Sequence, residues 1–397
     1  MPISVDARRA RVAVVVLFMI NGGLSSSIVP RLPAIKSQLG LSNTQLGTAI
    51  AAMPVGSLVA GALAGILIAK IGSARLAVGT CTVGGLMLVS FGLAPSWIFL
   101  IGAYLIFGML DAVTDVAMNA HGLRVQRLYR RSIINSFHGW WSVGAVVGGL
   151  LGSAAAGLGL PIALHLGIVG VALAIASLIA YRFTLPGHEA TERTDLESHP
   201  PTNRLSALRP VAALLVMLGV ITLMAAIVED SAASWGSLYM LSSASISQGI
   251  AGLAFVSCQA LQTLGRFTAD GLVQRFGPVL VARVGGALAA VSIAAILIVP
   301  HPVVIIAGFG LAGLGIASIF PGTFHAAGNL PGVATGTGVA VVSYIARIGF
   351  LISPPIVGLV SDHLSLRIGL IIVPCAAILI FALAGALRPA AGDPATR

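Results

Sequence analysis

Residues 45–69 read QLGTAIAAMPVGSLVAGALAGILIA without a single acid or base, and Lys70-Ile71-Gly72 closes the stretch. A bilayer core about 30 Å thick is crossed by about 20 apolar residues at 1.5 Å per residue, so this segment predicts a membrane-spanning helix. Comparable stretches lie near 11–30, 76–94, 97–121, 133–156 and 161–182. A second series follows near 211–233, 248–271, 284–299, 303–324, 337–360 and 367–387. The pattern predicts an all-α integral membrane protein of twelve spans in two six-helix bundles, residues 1–185 and 210–397. Residues 186–209 carry Glu189, Glu192, Arg193, Asp195 and Glu197 and read as a flexible cytoplasmic linker.

Composition supports the same class. Of 397 residues only 9% are charged and 57% are hydrophobic, and the mean hydropathy is +1.01. A soluble domain carries roughly 25% charged residues, so most of this surface must face lipid. The 48 glycines fit close helix packing in a membrane. A net charge of +10 raises the question of nucleic acid, but the bases fall in short loops rather than on one face, which argues against it. Cys81, Cys258 and Cys375 are scattered and offer neither a disulfide framework nor metal-ligand spacing.

The basic residues orient the chain. With the N-terminus in the cytoplasm, seventeen lie on that side, among them Arg8, Arg9, Arg11, Arg124, Arg127, Arg130 and Arg131. Only Arg31, Lys36 and Arg367 lie outside, so both termini are expected in the cytoplasm. An internal repeat is also visible. Ser42-Asn43-Thr44-Gln45 matches Ser245-Ile246-Ser247-Gln248, and Lys70-Ile71-Gly72 matches Arg275-Phe276-Gly277. With six spans on either side of a linker, these matches read as a parallel repeat.

These segments resemble the major facilitator superfamily of secondary transporters. Its signature after the second helix is a glycine, three residues, an acid, a base, one residue and a glycine. Gly65-Ile66-Leu67-Ile68-Ala69-Lys70-Ile71-Gly72 fits except that Ala69 stands at the acid. The second copy runs from Gly265 through Asp270 to Gln274-Arg275-Phe276-Gly277. The resemblance implies a cytoplasmic gate around Lys70, Arg75, Arg266, Asp270 and Arg275, with the standard lock altered in the first half. Gly108-Met109-Leu110-Asp111 through Asn119, Ser136 through Ser142, and Glu229 through Tyr239 look like a bacterial branch near the fucose-permease-like transporters.

Acids inside spans are costly, roughly 2.5–3.5 kcal/mol at a helix centre, and therefore mark function or a partner. Asp111, Asp115, Glu229, Asp230 and Asp270 are such acids. A carboxyl withdrawn from water holds its proton more tightly, which suits a group that must bind and release one. Asp111, Asp115 and Asn119 recur every four residues and share one helix face. Asp111 reads as a proton or substrate group. Asp115 reads either the same way or as an anchor for the loop arginines. Glu229 and Asp230 point about 100° apart; Glu229 is expected toward the outer side, as a site residue or a solvated acid at a helix mouth. Arg347, deep in span eleven, cannot give up its proton. It is assigned to a carboxylate partner, an anionic solute or snorkelling to the interface.

His138 titrates near neutral pH and is a candidate for a proton path, with a plain hydrogen-bonding role as the alternative. Asn21 and Trp140 are cavity-lining candidates, as are Trp235 and Tyr239. The last pair also reads as an interfacial aromatic belt. The Gly144, Gly148 and Gly152 series reads as helix packing. No Walker loop, nucleophile elbow or His-Glu-x-x-His helix is present, so neither an enzyme nor an ATP-driven pump is expected.

The reading is a multi-pass cytoplasmic-membrane transporter, a monomer without cofactor or metal. It moves a small solute by alternating access with proton coupling. Alternatives are a drug or metabolite exporter exchanging against protons, an uncoupled facilitator and a transporter-like receptor. The absence of a Gly-Pro signature in span five weakens the exporter.

Overall fold

The computed structural model describes residues 5–129, 133–187, 211–330 and 335–388. Most of the expected linker, Arg130, Arg131, Arg193, Arg204, Arg209 and Arg397 lie outside the described residues. The regular elements are helical. In the first half they are α1 (Val5–Leu39), α2 (Asn43–Ile71), α3 (Ser73–Gly92), α4 (Trp97–Tyr129), α5 (Ile134–Gly157) and α6 (Ile162–Tyr181). The second half has α7 (Ala212–Ser243), α8 (Gln248–Phe276), α9 (Pro278–Ile298), α10 (Pro302–Gly328), α11 (Thr335–His363) and α12 (Leu366–Leu387). Eleven helices among the described residues are long and apolar enough to cross a membrane. The exception is α8, as long as α2 but carrying Gln259, Gln262, Arg266 and Asp270.

Local chemistry sets the helix ends and reveals the repeat. The Ser42 hydroxyl accepts from the Gln45 amide at 3.1 Å while the Gln45 side chain accepts from the Ser42 amide at 3.0 Å. This capping box satisfies two otherwise orphaned donors. The equivalent cap of α8 is Ser247, whose hydroxyl accepts from the Ile250 amide at 3.4 Å. The sequence match pairs Ser42 with Ser245, whereas the caps pair Ser42 with Ser247, because Ser247 is the residue directly before the first helical position of α8. At the other ends Gly72 and Gly277 turn the chain at φ 89° and φ 80°, where a side chain would be strained. Both pairs, Ser42 with Ser247 and Gly72 with Gly277, are 205 residues apart.

Span seven also departs from expectation. It continues through a π-helical turn, Ser231–Trp235, and ends at Ser243 rather than near 233. Glu229 and Asp230 therefore lie mid-helix instead of at an outer mouth. Trp235 and Tyr239 are fully buried, and the Tyr239 hydroxyl donates to Ile296 O at 3.0 Å. They do not form an interfacial belt.

Small residues set the helix spacing. A Cβ added at Gly144, Gly148 or Gly152 of α5 would meet the carbonyl oxygens of Met19, Gly23 and Ser27 at 2.1, 2.6 and 3.0 Å. One ridge of α5 thus lies directly on the backbone of α1, turn for turn. Outward-facing Ile98, Val291 and Ile298 are mostly exposed, as a lipid-facing surface requires.

The halves meet along α2 with α11 and α5 with α8. Close approaches gather at the ends remote from the basic loops. Gly358 lies against Asn43 O, Gly47 against Pro354 O, and Gly249 against Gly157. There Asp362 of α11 accepts from the Asn43 and Thr44 amides, both at 2.8 Å, and so caps a helix of the opposite half.

Candidate functional site

Two hydrogen-bond relays converge on the acids of α4. In the first, Trp141 Nε1 donates to Asn21 Oδ1 at 2.8 Å, and Asn21 Nδ2 donates to Asp111 Oδ1 at 2.9 Å. In the second, His138 Nε2 lies 3.2 Å from Asn119 Oδ1, and Asn119 Nδ2 donates to Asp115 Oδ1 at 3.0 Å. An amide oxygen only accepts, so in this contact His138 Nε2 carries the hydrogen. His138 and Trp141 stand three residues apart on one face of α5, while the two asparagines come from α1 and α4. Each acid therefore receives a donor already polarised by an aromatic N–H group.

The second half supplies positive charge to the same place. Arg347 of α11 interacts electrostatically with both Asp111 and Asp115, and the two acids interact with each other. Arg266 of α8 donates to Ser142 Oγ at 3.0 Å and interacts with His138. Four charges and a histidine are thus gathered between the halves, where low polarity strengthens every pairing.

A separate polar group occupies the second half. Gln262 Nε2 donates to Glu229 Oε2 at 3.0 Å, and Ser234 Oγ donates to Asp230 Oδ1 at 2.7 Å. Asp230 is buried beside the π turn, and its Oδ2 has no hydrogen-bond partner among the described residues. Ser353 of α11 lies next to it, outside hydrogen-bonding geometry. Turns of this wide type are frequent at functional sites.

The structure brings together Asn21, Asp111, Asp115, Asn119, His138 and Arg347. It keeps Glu229, Asp230, Trp235 and Tyr239 in the second half and leaves Trp140 exposed. Trp141, one residue on, makes the contact to Asn21; a shift of one position turns a helical side chain by about 100°. Asp115 turns toward Asn119 and His138, while the buried Arg124 donates to Pro186 O at 2.9 Å. The gate residues Lys70, Arg75, Asp270 and Arg275 are exposed. Arg75 meets Tyr181 of its own half, Arg275 lies over the Phe276 ring, and Arg266 alone of the set bonds across the halves. Sequence reasoning missed Trp141, Ser142 and Gln262; the first two share a helix face with His138 or adjoin it. Among the described residues no group of three or more His, Cys, Asp or Glu side chains is placed to hold a metal ion.

The profile of the Major Facilitator Superfamily matches residues 14–239. The chain belongs to this superfamily. It is 28% identical to an uncharacterized transporter, y4wD, of Sinorhizobium fredii, over 94% of this chain and 96% of that protein. Among solved structures, the nucleoside transporter NupG superposes with a TM-score of 0.78 at 14% identity, covering 96% of this chain and all of NupG. A bacterial homologue of the human lysosomal transporter Spinster, solved inward-facing and unoccupied, gives 0.76 at 17% identity over 98% of this chain and all of the other. At such identities these two likenesses speak for the fold alone. With its bacterial relatives, this superfamily member is a multi-pass inner-membrane transport protein.

Proposed function

We propose that this chain is a secondary active transporter that moves a small solute by alternating access and draws its energy from protons. In this reading α8 is the twelfth span and both termini are cytoplasmic. Residues 1–185 and 210–397 are the two moving bodies, joined by 186–209, and the protein works as a monomer. The basic loops then mark the inside, and the seam around Asn43, Asp362, Gly157 and Gly249 closes the outside.

One observation carries the reading: Asp111 and Asp115 in one half lie within electrostatic reach of Arg347 of the other. Arginine stays charged at any physiological pH. A proton arriving on either acid therefore weakens the attraction across the halves, and its departure restores it. A solute with a carboxylate or phosphate group would compete for the same guanidinium. Proton binding, solute binding and the rocking of the halves are linked through that contact.

The test is transport by purified protein in weakly buffered liposomes, with external pH followed as sugars, organic acids, amino acids and lipophilic cations are added in turn. Alkalinisation with one solute is the expected result and indicates symport. Acidification would make the protein an exporter exchanging against protons. Solute flux whose pH dependence survives in the Asp111→Asn/Asp115→Asn variant would refute the proton role of these acids.

A further inference from the structure

The end of the molecule opposite the basic loops holds a buried charge with no countercharge among the described residues. Arg31 follows Pro30 where α1 passes through a 3₁₀ turn, Val29–Arg31, and only 3% of its surface is exposed. Nη2 donates to Leu160 O, while Nε and Nη1 are closed off from solvent and have no partner among the described residues. His165 of α6 is 5% exposed, has both ring nitrogens unpartnered, and is close enough to interact electrostatically with Arg31. A cavity of about 400 Å³ opens beside the arginine. Its polar lining side chains include Arg31, Gln38 and Gln248, and no carboxylate is among the residues that line it. Burying a guanidinium without an anion costs several kcal/mol, which native structures meet by pairing the charge.

We infer that this cavity binds a small oxyanion, a carboxylate or phosphate group, on Arg31. The residues around it come from both halves. Gln38 and Arg31 belong to α1 and Leu160 to the turn before α6, while Gln248 begins α8. An anion held here would therefore bridge the seam that Asp362 also closes, and would stabilise the conformation in which that seam is shut. The site is distinct from the relay around Asp111 and acts on the equilibrium between conformations rather than on cargo.

The test is thermal unfolding of the detergent-solubilised, delipidated full-length protein. Sodium phosphate and sodium acetate are compared with sodium chloride at equal ionic strength, and phosphatidylglycerol vesicles with phosphatidylcholine vesicles. A rise of roughly 2–4 °C with the free anions, absent in Arg31→Gln, is expected for a site filled near saturation. The same rise with phosphatidylglycerol alone identifies a lipid headgroup as the source of the phosphate. If Arg31→Gln fails to fold, Ala34→Phe fills the cavity with the arginine in place and should abolish the rise. No rise with any anionic probe, or an equal rise in the folded variants, overturns the inference.

Discussion

α4 and α10 hold equivalent places in the two halves, beginning 205 residues apart at Trp97 and Pro302. α4 is unbroken for 33 residues and carries Asp111, Asp115 and Asn119. α10 breaks between Ile316 and Ile319, and the residues matching those three are Ile316, Phe320 and Phe324. Phe320 and Phe324 pack edge to face at 6.3 Å. The reverse holds elsewhere: Arg347 stands where the first half has Ser142, and Arg266 where it has Gly61. One scaffold, repeated with matching serine caps and closing glycines at α2 and α8, therefore divides these matched positions, with Asp111 and Asp115 in one half and Arg266 and Arg347 in the other, while Glu229 and Asp230 form their own group in the second half. Similar architecture persists because packing fixes it.

Breaking that division should have the largest effect. Arg347→Gln leaves two central acids without their cation and should lower proton-driven uptake by on the order of tenfold or more. The double variant with Asp111→Asn should be little worse than either single change, since both remove one interaction. Additive losses in uptake assays would mean that the halves do not communicate through these charges.

The closed seam is unequal in the same way. In α11 Asp362 caps α2, whereas its counterpart 205 residues earlier is Gly157, packed on Gly249. Asp362→Asn should weaken the cap by roughly 1 kcal/mol. The population open at that seam should then rise about fivefold, read by spin-label distances between the outer ends of α2 and α11. An unchanged distance distribution would assign the cap to local helix stability alone.

The smallest effect checks the repeat itself. Ser42→Ala and Ser247→Ala should each cost roughly 1 kcal/mol in unfolding measurements, with Ser245→Ala close to neutral. A loss at Ser245 equal to that at Ser247 would restore the register read from sequence.

Much of this was legible in the chain because a membrane tolerates so few patterns: apolar runs gave the helices, and scarce acids gave Asp111 and Asp115. Helix phase was harder. Trp140 and Trp141 are indistinguishable as letters, and only the structure turns the second toward Asn21. The seventh apolar stretch reads as ending near 233, whereas the π turn at Ser231–Trp235 carries the helix onward. Arg31 looked like an outer-loop base; its burial depends on the turn at Pro30 and the neighbouring Leu160, which no local pattern announces.

The glycine ridge between α1 and α5 has a consequence for the central acids. Because α5 lies on the α1 backbone, Trp141 and Asn21 are fastened to a single strut, and Asp111 hangs from it through Asn21. Arg347 rides on the other half. If the halves rock as proposed, the strut carries the carboxylate along and the gap to the guanidinium changes with the angle. In the proposed cycle the charges on the two halves would act as a gauge, reporting the pose of the whole molecule at one carboxylate with no moving part smaller than a helix bundle.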